Sequence, residues 1–453
     1  MKTYQDLLER QRDDQLKSFI IGAINDYKTS DTYKWAKEGD AYSRQQNTTI
    51  MKYQKLLYTI SGNVVPDNFT ANHKCASNFF DKFVTQETQY LLGNGVIFED
   101  DKIKEKLGTK RIPFDNQLHD IAKDSLIMGV CYGFFNLDHV EKFSALEFVP
   151  LWDEEDGSLK AGIRFWQIDD DKPLRATLYE LDGYTDFIKR RGEEFTVLNE
   201  KRAYKLKIRK SEADGVEIYD RENYPTFPII PLWGNKKHQS ELVGKKEEID
   251  CYDLIKSGFA NDLDDASMIY WTLENAGGMD DIDLVKFIEH MKLVRAAVVD
   301  GGDGAKAQAH TIDVPYQSRE TYLTRLESDL YKDAMALDVQ AIAAGNVTAT
   351  AIRAAYQSLD DKCDEFEYCL NDFIQELLAF IGADDFPTFK RNRIANQTEE
   401  TTMVLSAAQY LDTETILNHL PFLTPDEVDG ILDRLVEEES ARFTDVEEQE
   451  DEE

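Results

Sequence analysis

Apolar positions recur every three or four residues near both ends of the chain and every second residue in its middle. Over 4–26, Leu7, Leu8, Leu16, Phe19, Ile20 and Ile24 fall at mixed three- and four-residue steps, which predicts an amphipathic helix. A polar stretch follows at 40–49. Residues 72–92 read as a long helix with Phe79, Phe80, Phe83, Val84, Tyr90 and Leu91 inward, stopped by Gly93-Asn94-Gly95. A further helix is expected over 119–128. The period then drops to two. Segments 130–137, 145–152, 162–168, 176–181, 184–189 and 204–208 read as short strands, with turn signals at Asp156-Gly157 and Asp182-Gly183. This antiparallel region closes at the prolines Pro225, Pro228 and Pro231.

Helical spacing returns at Lys246. Ile249, Tyr252, Ile255, Phe259 and Leu263 form one narrow stripe to about residue 268. A small α/β insert follows: a strand at 269–273, a helix at 280–293 capped by Asp280, and strands at 295–299 and 310–314 around Gly301-Gly302-Asp303-Gly304. Ser318 opens a second narrow-stripe helix, with Leu323, Leu326, Leu330 and Leu337 repeating along it. About twenty residues at ~1.5 Å each make a rod of roughly 30 Å. The stretch 340–350 (QAIAAGNVTAT) is small and uncharged. Residues 351–381 then form a long helix with Ile352, Tyr356, Leu359, Cys363, Phe366, Leu370, Phe373, Ile374 and Leu377 inward. A strand at 389–394 and short helices at 399–410, 412–420 and 424–437 lead to an acidic tail, 437–453, read as disordered.

Two rods of similar length flanking a small insert can pair antiparallel, with the insert at their far end. Each carries too narrow an apolar stripe to be buried all round. Their other faces must be wet or must meet other copies, and rods ranged about an axis would form a barrel with the insert at one mouth.

Composition sharpens this. With 453 residues, 42% hydrophobic and 11% aromatic, the chain can build several real cores. No run of 18 apolar residues exists, and the first seventeen residues are charged throughout, so neither a membrane span nor a secretory signal is expected. Five cysteines without a CxxC fit a reduced site of synthesis. The net charge of −35 would repel DNA overall. It serves either solubility alone or a surface that DNA must pass without sticking, and composition does not choose between them.

Catalytic signatures are absent: Gly244-Lys245 lacks the rest of a phosphate-cradling loop, and there is no GxGxxG after a strand, no GxSxG and no HExxH. The seven histidines share no i, i+4 face, so no metal or cofactor is expected. Asp300 to Gly304 reads as a turn and not as a calcium loop. Acidic clusters at Asp262, Asp264 and Asp265, at Asp280, Asp281 and Asp283, and at Asp360, Asp361 and Asp364 read as solvated faces, with a two-metal nuclease as the alternative. Lys236, Lys237, Lys245 and Lys246 cluster before the first rod, as a solvated loop or as contacts to phosphates or an acidic partner.

Several stretches carry a resemblance. They are 72–96 (NHKCASNFFDKFVTQETQYLLGNGV), 230–265 with its Ile249-Asp250-x-Tyr252-Asp253 and Ala260-Asn261-Asp262 elements, and Gly345-Asn346-Val347-Thr348-Ala349-Thr350-Ala351-Ile352-Arg353. In this order, over 40–382, the chain resembles the portal (head–tail connector) proteins of tailed bacteriophages, in the long-tailed siphophage subgroup. Two departures stand out. Thr348-Ala349 replaces the Ser-Gly often found in that loop, leaving Gly345 as its only glycine, and Asn94-Gly95 stands where a proline is common.

The resemblance implies an α+β, portal-type subunit assembling as a ring of twelve. Its parts would be a wing of helices and antiparallel β (1–245), a first stem helix (246–268), an α/β clip (269–315), a second stem helix (316–338), a tunnel loop (339–350), a long wing helix (351–384), a helical crown (385–436) and the tail (437–453). Ala341, Ile342, Ala343, Ala344, Gly345, Asn346, Val347, Thr348 and Ala349 would meet DNA in the tunnel. Asp280, Asp281, Asp283, Lys286, Glu289 and His290 would form the clip's docking surface. The implied partners are double-stranded DNA passing without sequence readout, the terminase large subunit, major capsid and scaffolding proteins, and a head–tail adaptor. The implied place is the capsid vertex of the virion. The implied role is a non-enzymatic channel for DNA packaging, retention and ejection. Another virion ring or adaptor protein is the alternative.

Overall fold

The structure, a computed structural model, describes residues 2–12, 15–58, 63–67, 70–100, 102–210, 217–266, 270–274, 306–310, 316–340, 349–392, 397–420, 423, 428 and 430–435. The chain divides into two units, Met1–Ala336 with Asp361–Lys390, and Leu337–Asp360 with Arg391–Glu453.

The first unit is built on antiparallel sheet. A three-stranded sheet orders Ile229–Trp233, Val130–Asn136 and His139–Ser144. A five-stranded meander runs Phe148–Trp152, Leu159–Trp166, Leu174–Glu180, Gly183–Lys189 and Thr196–Arg202. A separate hairpin pairs Lys205–Lys210 with Glu217–Glu222. Leu16–Thr29 lays Phe19, Ile20, Ala23, Ile24 and Tyr27 onto the meander, against Val149, Leu151, Ile163, Leu178 and Phe187. The fully buried Tyr27 donates its hydroxyl to the Ala145 carbonyl at 2.8 Å, which satisfies the one polar atom it brings inside.

The six predicted strands are present within a few residues. His139–Ser144, Thr196–Arg202, Glu217–Glu222 and Ile229–Trp233 are additional, the last running through Pro231, where the region was expected to close, and pairing Pro231 with Tyr132. The N-terminal helix is two helices, Tyr4–Arg12 and Leu16–Thr29. The expected polar stretch at 40–49 is largely helical: Asp31–Ser43 is capped by the Ser30 side chain, and Thr48–Lys52 follows. Gly39 lets the helix Asp31–Ser43 approach Phe114–Met128 closely, since a Cβ there would lie 2.1 Å from the Ile127 carbonyl oxygen.

The helix expected over 72–92 is shorter, Phe79–Leu92, with residues 71–78 non-helical before it. The long helix Ala349–Ile381 follows its sequence pattern closely. Tyr356, Leu359, Cys363, Phe366, Leu370, Phe373, Ile374 and Leu377 are buried, and Ile352 is half-buried. It begins at Ala349, so that residue belongs to a helix and not to the preceding loop. The expected strand at 389–394 reduces to Thr388–Phe389, paired with Val96–Ile97.

In the second unit, Arg391 pairs with Asp360 at 2.8 Å, and Gln397–Ala407 and Thr413–Asn418 are helical, the latter capped by Asp412. The tail 437–453, the helix at 280–293 and the strand at 295–299 lie outside the described residues.

Candidate functional site

The two rods are the helices Lys246–Ala266 and Tyr316–Asp333, and they pack on each other. They run antiparallel: Asp262, near the end of the first, meets Arg319 of the second at 2.5 Å, whereas Glu248, at its start, lies beside Asp333. The Glu248 carboxyl is pushed up by burial first and by Asp333 and Asp329 next. Between the rods, Tyr270–Glu274 and Lys306–His310 pair antiparallel with Tyr270 opposite His310, so the chain doubles back. Of the expected strand at 310–314 only His310 lies among the described residues, as the last residue of Lys306–His310.

The second rod ends before the expected residue 338. Met335 takes φ 52°, and Ala336 N–H donates to the Tyr331 carbonyl at 2.9 Å, a left-handed stop. Leu337 is buried, but beyond the helix. Burial of the predicted stripe is graded. Ile249 and Leu330 are buried, Tyr252, Ile255, Phe259, Leu323 and Leu326 are half-buried, and Leu263 is 53% exposed. Leu263 is therefore not a packing residue within one subunit. At the buried end, Phe79 and Phe83 of the helix Phe79–Leu92 meet Tyr252 edge-on at 4.9 Å and Tyr331 at 5.3 Å, anchoring both rods to that helix.

The inward face of the first rod is more polar than the apolar spacing implied. Asp253, Ser257 and Asn261 are buried at four-residue intervals. Each accepts a backbone hydrogen bond from the strap at 73–77. Ser77 N–H reaches Asp253 Oδ1 at 2.8 Å, Cys75 N–H reaches Ser257 Oγ at 2.9 Å, and His73 N–H reaches Asn261 Oδ1 at 2.7 Å. Four helical residues rise ~6 Å and two extended residues ~6.6 Å, so the two repeats stay in step over three contacts. This explains why 71–78 is not helical: these amides donate to side chains of the rod and not to carbonyls of their own turn. Asp253 also accepts from Asn47 Nδ2 at 2.5 Å; burial raises its pKa, and the donors from Asn47 and Ser77 oppose that. The neighbouring Asp250 accepts from Thr49 at 2.7 Å and from Tyr42.

The basic cluster divides. Lys246 pairs with Asp250 at 2.8 Å, and Lys245 with Glu241 at 2.9 Å, both largely buried. These two hold the base of the rod and are not free for phosphates. Lys237 is exposed, and Lys236 sits over the Tyr368 ring at 4.5 Å. Behind them lies a buried charge cluster. Lys362 reaches Glu87 at 2.6 Å and Glu241 at 3.2 Å, and Glu241 also accepts from Asn235 Nδ2 at 3.0 Å. Burial pushes Glu87 up to about 7 against the pull of Lys362. Burial would raise Glu241 too, but Lys362 and Lys245 hold it at about 2. The cluster fastens the helices Phe79–Leu92 and Ala349–Ile381 to the turn that feeds the first rod. Sequence spacing carries no signal for it, because its members are far apart in the chain.

Residues 341–348 of the expected tunnel loop, and all of Asp280, Asp281, Asp283, Lys286, Glu289 and His290, lie outside the described residues. Among the described residues no group of His, Cys, Asp and Glu is arranged to hold a metal ion, and Asp262 and Asp360 are taken up by Arg319 and Arg391. Among the same residues no helix is long and apolar enough to cross a membrane.

Known proteins match this chain over most of its length. The chain is 24% identical over 385 residues to the portal protein of Clostridium phage phiCD119, covering 78% of this chain and 82% of that one. It is 24% identical over 412 residues to the portal protein of Bacillus phage SPP1, covering 83% and 78%. A chain from the neck of a native GTA particle, computed with C12 symmetry, aligns over 77% of this chain and 91% of its own at 11% identity, with a TM-score of 0.41. The family model for phage portal proteins, SPP1 Gp6-like, matches residues 33–453, and the chain belongs to that family.

Proposed function

We propose that copies of this chain assemble as a ring, the twelve-fold ring implied by the family resemblance, whose paired rods surround a channel for double-stranded DNA at one vertex of a phage capsid. The observation that carries this is the antiparallel rod pair. It is anchored to the wing-side helices at one end, while at the other Leu263, Tyr316 and Tyr322 stay exposed in a single subunit. Faces of that kind suit contact with neighbouring copies. The chain's net charge of −35 suits a bore that DNA slides through without sticking.

In this reading the tunnel loop, 339–350, narrows the bore with small side chains that touch DNA sterically and read no bases. The segment between the rods, with Asp280, Asp281, Asp283, Lys286, Glu289 and His290, docks the packaging motor and later the head–tail adaptor. The channel itself catalyses nothing, and nucleotide hydrolysis belongs to the motor. The protein is a component of the virion.

Mass measurement and negative-stain imaging of the purified protein test the ring. Closed rings with a central hole are expected, and a compact monomer at every concentration would refute it. Deleting 343–348 should leave rings intact but impair DNA packaging or retention. Normally filled heads would overturn the loop's role.

A further inference from the structure

We propose that the hairpin formed by Lys205–Lys210 and Glu217–Glu222 is an arm that docks on an adjacent copy of this chain. The inference rests on the ring reading and adds to it the surface by which neighbours grip. Among the described residues, this hairpin forms a two-stranded sheet of its own, joined to neither the three-stranded nor the five-stranded sheet. Such a pair is at best marginally stable in water without a further layer. The strand that leads into it, Thr196–Arg202, is the edge of the five-stranded sheet, and its register on Gly183–Lys189 is broken by bulges. The connected segment therefore offers two successive free strand edges, the kind of surface that recruits another chain.

Its side chains point the same way. Val197, Leu198 and Leu206 are 43%, 42% and 58% exposed. Lysines on an edge strand would by themselves serve to keep other strands away, but protection of that sort does not call for three exposed aliphatic residues beside them. Residues 201–210 hold six basic residues and no acidic one, in a chain with 87 acidic residues against 52 Lys and Arg. Although Glu222, Asp220 and Glu217 stand opposite Lys205, Lys207 and Lys210 across the strand pair, residues 201–222 still hold seven basic against five acidic residues, a net positive segment that suits an acidic surface on a neighbour. Such a contact offsets part of the repulsion between subunits of charge −35.

Several of these bases already face carboxylates within the subunit. Lys201 lies 2.9 Å from Glu180, Arg202 pairs with Asp186, and Lys207 pairs with Glu222. That leaves less charge for a phosphate backbone. Together with the exposed aliphatic groups, it favours a protein partner over DNA.

The test uses the full chain in two variants. One reverses charge, Lys205→Glu with Lys207→Glu, Arg209→Glu and Lys210→Glu; the other is Leu206→Asp. Native mass spectrometry and sedimentation follow assembly against concentration and salt, and circular dichroism with thermal unfolding checks the fold. Each variant should keep its fold and need at least about tenfold more protein to form rings. Salt screens the repulsion between copies in both, but in wild type it also weakens the arm's attraction, so it should promote assembly more in the charge-reversed variant than in wild type. Folded variants that assemble like wild type overturn the arm while leaving the ring standing, as would rings of normal stability that have lost only DNA retention. A wild-type chain that never assembles sinks the ring reading, and the arm with it.

Discussion

Cutting the ladder between the first rod and the strap tests whether polar contacts, and not only aromatic packing, fix the rod to the body of the subunit. Asp253→Ala removes one carboxylate that serves two buried donors, Ser77 N–H and Asn47 Nδ2. A hydrogen bond to a charged acceptor contributes about 1.5–3 kcal/mol, and a stranded buried donor costs about 1–3 kcal/mol. Because both donors share one group, a loss of about 3–5 kcal/mol is expected and not the full sum. Ser257→Ala and Asn261→Ala each strand one amide, that of Cys75 or His73, at about 1–3 kcal/mol. Hydrogen exchange on the folded protein reads this amide by amide. Ser77, Cys75 and His73 should be protected in wild type, and each variant should release its own amide by about tenfold or more. Denaturant unfolding should rank Asp253→Ala as the most damaging. If Ser77 exchanges no faster in Asp253→Ala, and unfolding shifts by less than ~0.5 kcal/mol, the ladder does not hold the strap.

Other expectations concern the charge cluster and one close approach. Glu87 binds its proton more tightly in the folded chain, at about 7, than at its ordinary 4.5. Its contribution is therefore fully present below 4.5 and is lost as pH rises through 7, an effect of about 3 kcal/mol at most. Glu87→Gln should flatten urea stability across that window, and an unchanged slope would contradict the assignment. Lys362→Met leaves Glu87 and Glu241 without their shared cation and should cost about 3–5 kcal/mol, more at pH 8 than at pH 6, in the same assay. Gly39→Ala pushes a methyl group against the Ile127 carbonyl and should lower stability by about 1–3 kcal/mol by thermal unfolding, with no change in the helical circular dichroism signal.

Sequence pattern reached the structure wherever burial and apolarity coincide. The helix Ala349–Ile381 was legible almost residue by residue because its fully buried positions are aliphatic, aromatic or cysteine, with Lys362 as the inward charge the pattern did not show. The meander was legible because strands such as Phe148–Trp152 bury a run of apolar positions. Thr196–Arg202 was not, since nearly every residue in it is exposed and no alternation exists to count. Both rods lie where the spacing put them, except that the second stops at Asp333 and not at 338, but their contacts were misjudged. Apolar spacing pointed to Leu263, which is exposed, and passed over Asp253, Ser257 and Asn261, whose burial depends on donors about 180 residues away. Lys245 and Lys246 looked free although each stands four residues from its partner, Glu241 or Asp250; what no local pattern announces is that these pairs close in a buried corner.

The strap and the first rod meet at evenly spaced rungs, and that spacing restricts how they can move past each other. A slide of one strap residue turns every amide away from its acceptor. Even a shift of two strap residues, ~6.6 Å against ~6 Å of helix, realigns only two of the three amides with an acceptor among Asp253, Ser257 and Asn261. A slide of about 3 Å, midway between rungs, breaks all three bonds at once and recovers none. The rod is thus held as by a pawl on a toothed rack, fixed or released, with no graded slack between those conditions.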